Sequence, residues 1–409
     1  MKTKFLKIII PCFTLIILLL LILLGFKYDI FSTFSKDNTI PVVSDTENNT
    51  NTSSVQTQFK EPVCINMAVI GDIMCHNTQY KDAYNSKTGS YDFSYVFSDI
   101  KDYISSADIS IGNLETTFAG KEKDYSSYPR FNTPEQLAEN LKDLGIDVLS
   151  TANNHSLDSN YSGLVSTLNF LDNLEISHTG TYSSPEAQND ILIKNVSGIK
   201  IAFLSFTYGT NGIPVPEEKD YCINLIDEDL ILKQISLAKE QNPDLICVNV
   251  HWGTEYQTKQ NSSQEKLADL LFENGVDIIL GSHPHVLQPM EKRVVTLPDG
   301  STKNCFVVFS LGNFISGQTK TNTRNSVILN IGLKKDMNSG ETTISSVDYV
   351  PIYMYKSSAS SQRYRVLDIE KSIKNYEKGI DSSIGSSTYS TLVKELKKIR
   401  NTMGDKIIF

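Results

Sequence analysis

Seven short apolar runs, Ile65–Ile70, Asp108–Ile111, Val148–Thr151, Ile199–Phe206, Leu245–Val250, Ile278–Leu280 and Phe306–Leu311, punctuate the chain. Helix-length amphipathic stretches, Pro134–Leu144, Ser162–Leu174, Asp227–Asn242 and Ser263–Asn274, lie between them, some with Ser or Asp in capping positions. Near-continuous apolar runs read as strands buried on both faces, and their alternation with helices predicts a layered α/β domain. After Ser326 the pattern becomes two alternating runs, Ser326–Lys334 and Thr342–Tyr355, joined through Asn338-Ser339-Gly340, which predicts a β-hairpin at a sheet edge. No internal repeat is visible.

The residues just beyond the runs are equally constraining. Five of the six histidines and the single tryptophan fall in short polar motifs, and each motif begins where an apolar run ends. The motifs are Gly71-Asp72-Ile73-Met74-Cys75-His76, Asn113-Leu114-Glu115, Asn153-Asn154-His155-Ser156-Leu157-Asp158, His251-Trp252-Gly253-Thr254-Glu255 and Gly281-Ser282-His283-Pro284-His285. Ligand sites in open α/β sheets gather at the carboxyl ends of strands, so these segments are expected to share one cleft. Imidazole and carboxylate oxygen are donors that divalent transition metals favour.

Each motif also has a plainer reading. His283 and His285 flank a proline that aims both rings at one volume, or else they are loop histidines. Asn154 and His155 supply an oxygen and an imidazole, with Asp158 placed to orient the ring; the alternative is a turn capping the helix near Ser162. His251 closes a strand, and Trp252 is expected to wall the cleft. Asp72 and Glu115 follow apolar runs, where an ionised carboxylate requires a counter-charge unless it caps a turn. In the loop 121–132, Lys121, Lys123 and Arg130 interleave with Tyr125 and Tyr128, either as a clamp for an anionic substrate, Arg130 being the candidate, or as solvated charge. Ser310-Leu311-Gly312-Asn313-Phe314 places the Asn313 amide where it can shape the cleft floor. Cys75 is read as apolar filler beside the site. The chain has neither a phosphate-cradling glycine loop nor a Gly-x-Ser-x-Gly elbow, so kinase-like and serine-hydrolase chemistry are excluded.

With 409 residues, 40% apolar and 21% charged, the chain buries a substantial core, and its net charge of −9 argues against a general nucleic-acid surface. Ile8–Phe26 is almost wholly apolar and follows Lys2, Lys4 and Lys7, long enough to span a bilayer core of about 30 Å with the amino terminus in the cytoplasm. A cleaved signal peptide is the competing reading. The expected organisation is an anchor over 1–28, a polar disordered linker over 29–60, a domain over 61–356 and a polar carboxyl-terminal extension over 357–409 with one weak helix near Tyr389–Arg400. No chemistry is assigned to the extension.

The motifs in their order, from Gly71-Asp72 through Gly281-Ser282-His283-Pro284-His285-Val286-Leu287-Gln288 to Ser310–Phe314, resemble the CapA family, the membrane-anchored proteins of poly-γ-glutamate capsule synthesis, over about Asn66 to Ile315. That family in turn is similar to the calcineurin-like metallophosphoesterases. The resemblance implies a four-layer α/β/β/α sandwich preceded by one transmembrane helix, with two divalent ions of manganese, iron or zinc. It implies that Asp72, Glu115 and His285 hold one ion and that Glu115, Asn154, His251 and His283 hold the other, with His155 as general acid oriented by Asp158. Two features depart from the phosphoesterase pattern. Its Asp-x-His becomes Asp72 followed by His76 four positions later, and its bridging aspartate is the longer Glu115, which leaves His76 unassigned.

The function implied is synthesis, export or surface handling of a poly-γ-glutamate-like polymer by an extracellular, membrane-held protein. Its expected partners are the synthetase and membrane subunits of a capsule system, and no nucleic acid. The alternatives are an extracellular phosphomonoesterase or phosphodiesterase, and a non-catalytic polymer-binding scaffold.

Overall fold

The strand Val63–Ile73 shows how the layers arise. Met67 and Val69 on one face join an apolar cluster between two sheets, while Ala68 and Ile70 on the other join a cluster beneath helices. A strand apolar on both faces is stable only when both are covered. The computed structural model describes residues 60–296, 300–380 and 384–409. The apolar run Ile8–Phe26 and the linker up to residue 59 lie outside the described residues, among which no helix is long and apolar enough to cross a membrane.

Chain order and layer order are linked simply. β1 (Val63–Ile73), β2 (Ile109–Leu114), β3 (Val148–Ser150) and β4 (Ser177–Thr179) run parallel in the first sheet. The chain then builds the second sheet from β5 (Leu192–Val196), β6 (Ile199–Thr207), β7 (Leu245–His251), β8 (Ile278–Ser282), β9 (Leu287–Thr296) and β10 (Thr302–Leu311), ordered β9-β10-β8-β7-β6-β5. It returns to the first sheet with β11 (Asn313–Ile315), β12 (Asn325–Lys335), β13 (Thr342–Lys356) and β14 (Tyr364–Asp368). The first sheet is thus ordered β14-β13-β12-β1-β2-β3-β4, with β11 paired beside the carboxyl end of β1. β12 and β13 form the hairpin expected from the alternating runs, but it lies inside the sheet and not at its edge, because β1 pairs with β12 and β14 with β13.

Both sheets turn one face inward. Met67, Val69, Ile111 and Val148 from the first meet Phe203, Cys247, Leu280 and Phe306 from the second. At about 1.5–3 kcal/mol for each large apolar side chain removed from water, this interlayer is a leading stabilising term. Helices cover the outer faces. α1 (Asn77–Ala83), α2 (Gln136–Leu144) and α3 (Asn160–Asn173) serve the first sheet, where Leu137, Leu141 and Leu171 are buried. α4 (Glu228–Glu240) and α5 (Ser262–Glu273) serve the second through Ile231, Ile235, Leu271 and Phe272. α4 starts where Asp227 accepts from the Leu230 amide, and α5 where Asn261 and Gln264 cap each other's backbone.

The carboxyl-terminal segment departs from expectation. α6 (Ile369–Glu377) and α7 (Ser386–Met403) place Ile369, Leu392, Ile399 and Met403 in the interlayer cluster, and residues 407–408 pair with β13. Residues 357–409 therefore belong to the domain and are not an appended tail. The buried residues of α7 recur at helical spacing among serines, threonines and lysines whose polarity masks them.

Candidate metal centre

Asp72, Glu115, Asn154, His251, His283 and His285 come from five strand ends and converge on one buried volume. β1 delivers Asp72, which stands in register with Asn113 of β2 and Asn313 of β11. Two glycines make this approach feasible. A Cβ on Gly71 would lie 2.0 Å from the Gly312 carbonyl oxygen, and one on Gly281 would lie 2.0 Å from that of Phe309. Only hydrogen fits at either place, so the neighbouring strands can close up beneath Asp72 and His283.

Donor atoms fall into two groups, Asp72 with Glu115 and His285, and Glu115 with His251 and His283, and within each group they lie within 4.8 Å of one another. Glu115 belongs to both. His285 Nδ1 is 3.2 Å from an Asp72 oxygen and its Nε2 is 3.8 Å from Glu115, while His251 Nε2 is 3.5 Å from the same Glu115 oxygen. Asn154 Oδ1 is 2.8 Å from His251 Nε2, so its oxygen faces the second group. His283 and His285 both have positive φ, 98° and 58°, on either side of Pro284. For residues with a Cβ this costs roughly 1–3 kcal/mol each, strain that surrounding structure must hold in place.

Glu115 is the most informative group. It is fully buried, and neither of its carboxylate oxygens has a hydrogen-bond partner among the described residues. Burial first, then the charges of Asp72, Glu255 and Asp158, pushes its pKa well above the carboxylate range. The imidazoles do not rescue it. Burial, and then His283, His285 and His155, pull His251 well below the usual range, and burial pulls His283 down to about 3. Both rings are neutral near pH 7, so the close contact of His251 with Glu115 is not an ion pair. Acids without cations beside imidazoles without protons are the donor chemistry that a divalent cation satisfies.

Around this centre the polar contacts fix ring orientation. Asn113 Nδ2 donates to Asp72 Oδ1 at 2.9 Å and lies 3.3 Å from His251 Nδ1, which is also 3.1 Å from Ser282 Oγ. Asn153 Nδ2 donates to the Leu114 carbonyl at 2.7 Å, tying the third motif to the second. His155 Nδ1 is 2.7 Å from Asp158 Oδ2, and that oxygen also accepts the Phe131 amide at 2.6 Å. His155 Nε2 is 3.5 Å from the Asn211 amide nitrogen. The ring of Phe131 stands edge-on to His155 on one side and to His76 on the other, with centroids 4.8 and 5.2 Å away. His76 does not join either donor group; its Nδ1 accepts the Gly317 amide at 3.1 Å. The sixth histidine, His178, pairs with Asp172 away from the centre.

Trp252 is a correction. The indole is buried in the outer core, stacked on Phe309 at 5.9 Å and donating to its carbonyl at 2.9 Å. Consecutive residues at a strand end point to opposite faces, so with His251 facing the cleft Trp252 faces the helices. The aromatic wall is Tyr208, half exposed, its ring 4.6 Å from His283 and stacked on His251 at 6.2 Å. Burial, then Glu115 and Glu255, raises its phenol to about 12. Asn313 lies next to Asp72 with its Nδ2 donating to Thr323 and Gln318 and its Oδ1 buried without a partner among the described residues. Arg130 is exposed, one residue from Phe131, and its guanidinium has no ion pair among the described residues. Tyr208 and Asn211 both lie just beyond β6, so the strand-end rule that singled out the other motifs points to them as well.

Comparison with known proteins places this centre. The family model described as bacterial capsule synthesis protein PGA_cap matches residues 66–318, which contain every donor named above. The chain belongs to the PGA_cap family. It is 30% identical over 309 residues to the capsule biosynthesis protein CapA of Bacillus anthracis, covering 74% of this chain and 70% of that protein. It is 30% identical over 288 residues to the PGA biosynthesis protein CapA of Bacillus subtilis, covering 69% and 71%. Among solved structures, a putative 5'-nucleotidase from Staphylococcus aureus is 14% identical with a TM-score of 0.44, covering 82% of this chain and 58% of that one. The NAD nucleotidase of Haemophilus influenzae is 14% identical with a TM-score of 0.42, covering 84% and 61%. Scores this low fix neither fold nor chemistry. The PGA_cap match ends at Gln318, ahead of β12–β14, α6 and α7.

Proposed function

We propose that this PGA_cap protein is a metal-dependent, membrane-anchored protein whose domain lies outside the cell, where it acts on a poly-γ-glutamate-like anionic polymer during capsule synthesis, export or surface handling. The observation that carries the metal-dependent part is Glu115, an acid shared by two donor groups with both oxygens buried and unpartnered. The process is supported by the family and by the names of the two relatives. The anchor is supported by Ile8–Phe26 and its preceding lysines.

Asp72, Glu115 and His285 would hold one ion, and Glu115, Asn154, His251 and His283 the other. Bound divalent cations supply Lewis-acid polarisation of a substrate oxygen and acidify water. The chain's own groups supply the rest. Asp158 keeps the Nδ1 proton of His155 and stabilises the doubly protonated ring, so Nε2 can pass a proton to a departing oxygen or nitrogen. Asn211 Nδ2 can donate to that nitrogen only once its proton has left, which favours the ring after transfer, and Phe131 packs edge-to-face against the ring. Tyr208, kept as a hydroxyl, lines the approach and limits water over His251 and His283.

The test measures bound metal and polymer together. Full chain in detergent should carry manganese, iron or zinc, lose it with Glu115→Gln, and support a capsule polymer of altered length or surface retention with His155→Ala in cells. Metal-free protein at every transition-metal concentration tried would reject the reading. A second reading, extracellular hydrolysis of phosphomonoesters or phosphodiesters, is favoured by the His155–Asp158 pair beside two donor groups. Rapid turnover of simple phosphoesters that His155→Ala abolishes, with capsule unchanged, would establish it instead. Capsule unaffected by His155→Ala and polymer binding without metal would leave a scaffold.

A further inference from the structure

Arg324 stands between two cavities that no part of the metal centre uses. The smaller, about 170 Å3, is lined by Gly317, Lys356 and Tyr364 among others, and the larger, about 390 Å3, by Lys320, Asn322, Lys394 and Lys398. Thr319 and Arg324 belong to both, so the two share a wall. Each cavity has one residue that touches the surroundings of the metal centre. Gly317 donates its amide to His76, and Lys320 Nζ sits 3.7 Å over the ring of Tyr256, whose centroid is 6.1 Å from that of His285. The outer end is α7.

The charge lining this path is one-sided. Lys320, Arg324, Lys356, Lys394 and Lys398 face it, although the chain as a whole carries −9. Glu395 is the one acid among the lining residues, and it is already engaged by Lys398 at 2.8 Å and by the Asn325 amide at 2.6 Å. Arg324, half-buried, and Lys394, exposed on α7, have no anionic partner among the described residues. A half-buried guanidinium without a counter-charge is costly unless a ligand supplies one. The cations are spread along two adjoining cavities and do not converge on a point, so the geometry suits an extended chain of separate anions better than a single small one.

We propose that the groove from Gly317 past Arg324 to α7 binds an extended polycarboxylate strand and feeds it to, or leads it from, the metal centre. The choice of carboxylate over phosphate rests on the proposed capsule function. The cations that form the groove all lie beyond Gln318, outside the residues that the PGA_cap model matches.

The test uses full chain in detergent with metal chelated, and a fluorescein-labelled linear oligomer of γ-linked glutamate followed by anisotropy. Arg324→Ala with Lys394→Ala should raise Kd by about tenfold or more, from the loss of two charge-assisted contacts, and flatten its salt dependence. Metal uptake should stay as in the parent protein. Lys394→Glu alone, at an exposed helix position, should weaken binding severalfold and guards against misfolding of the Arg324 variant. Wild-type affinity in both variants would overturn the proposal, as would displacement of the probe by linear polyphosphate at lower charge concentration than by unlabelled oligomer. Loss of metal in Glu115→Gln with groove binding intact separates the two ideas: it leaves this proposal standing whatever becomes of the catalytic reading.

Discussion

Acids stand at both ends of the strands, and the two ends treat them differently. At the amino ends of β2, β3, β7 and β8 the aspartate that precedes each strand is satisfied. Asp108 accepts the Asn66 amide at 2.7 Å and Asp147 that of Ser110 at 2.9 Å. Asp244 accepts the Lys200 amide and pairs with Lys335, each at 2.7 Å. Asp277, buried, accepts the Ile246 amide at 2.8 Å and pairs with Lys303 at 2.6 Å. At the carboxyl ends Asp72 meets amides and an imidazole, and Glu115 has no hydrogen-bond partner among the described residues. A structural acid comes with its own donors, whereas an acid reserved for a ligand is left for the ligand to satisfy. Size would mislead here. A cavity of about 590 Å3 lies at the amino ends beside Asp244 and Asp277, both of which are already paired with lysines.

Substitution at each end should pull the comparison apart most strongly. Glu115→Gln is expected to lower metal affinity by at least a factor of about 100, since even outer contacts to metal ligands are worth 10–100-fold, while the metal-free protein melts no lower than the parent. Asp277→Asn should do the reverse, leaving metal content intact and costing about 1–3 kcal/mol in urea unfolding, because Lys303 loses its partner in a half-buried setting. Equal metal loss in both variants would erase the distinction.

Chelation ranks second in size. Removing metal should lower Tm by about 5 °C or more, with recovery on adding the cation back, because the ligand binds only the folded chain. Acid should then act on the same groups by a smaller amount. His251 and His283 remain neutral when folded but take up protons when unfolded, so the unfolded state binds more protons below about pH 6.5. The two histidines outnumber Glu115, whose raised pKa acts in the opposite sense, so stability of the metal-free protein should fall as pH drops from about 6.5 toward 3, the range bounded by the folded value of His283. Urea midpoints at pH 7, 6 and 5 check the sign, and a midpoint that rises on acidification would refute it. The smallest effect is assigned to Tyr208→Phe, which keeps the ring over His283 and should change Tm and metal content little, within about 0.5 kcal/mol.

Most of this architecture is legible in the sequence because burial and chemistry share one grammar. Each apolar run becomes a strand, and each polar motif beyond it becomes a strand end, so Asp72, Glu115, Asn154, His251, His283 and His285 meet without any contact information. Period-two alternation, applied one residue further, places Trp252 on the helix side of the sheet. Tyr208 and Asn211 escape notice because no histidine or carboxylate marks the end of the Ile199–Phe206 run. β4 and β5 are too short or too mixed in polarity to stand out, their pairing being decided by neighbours distant in sequence. Leu392, Ile399 and Met403 are hidden by dilution, an apolar stripe in a lysine-rich helix whose burial becomes evident only when the space between the sheets is filled.

Among the described strands β1 is the earliest in the chain and sits mid-sheet, yet its antiparallel neighbour β12 begins only at Asn325. Throughout synthesis one flank of β1 waits bare, an adhesive backbone edge until the last quarter of the polypeptide arrives. The stretch matched by the family model, ending at Gln318, accordingly lacks the strand that covers β1, and a truncation made there should aggregate.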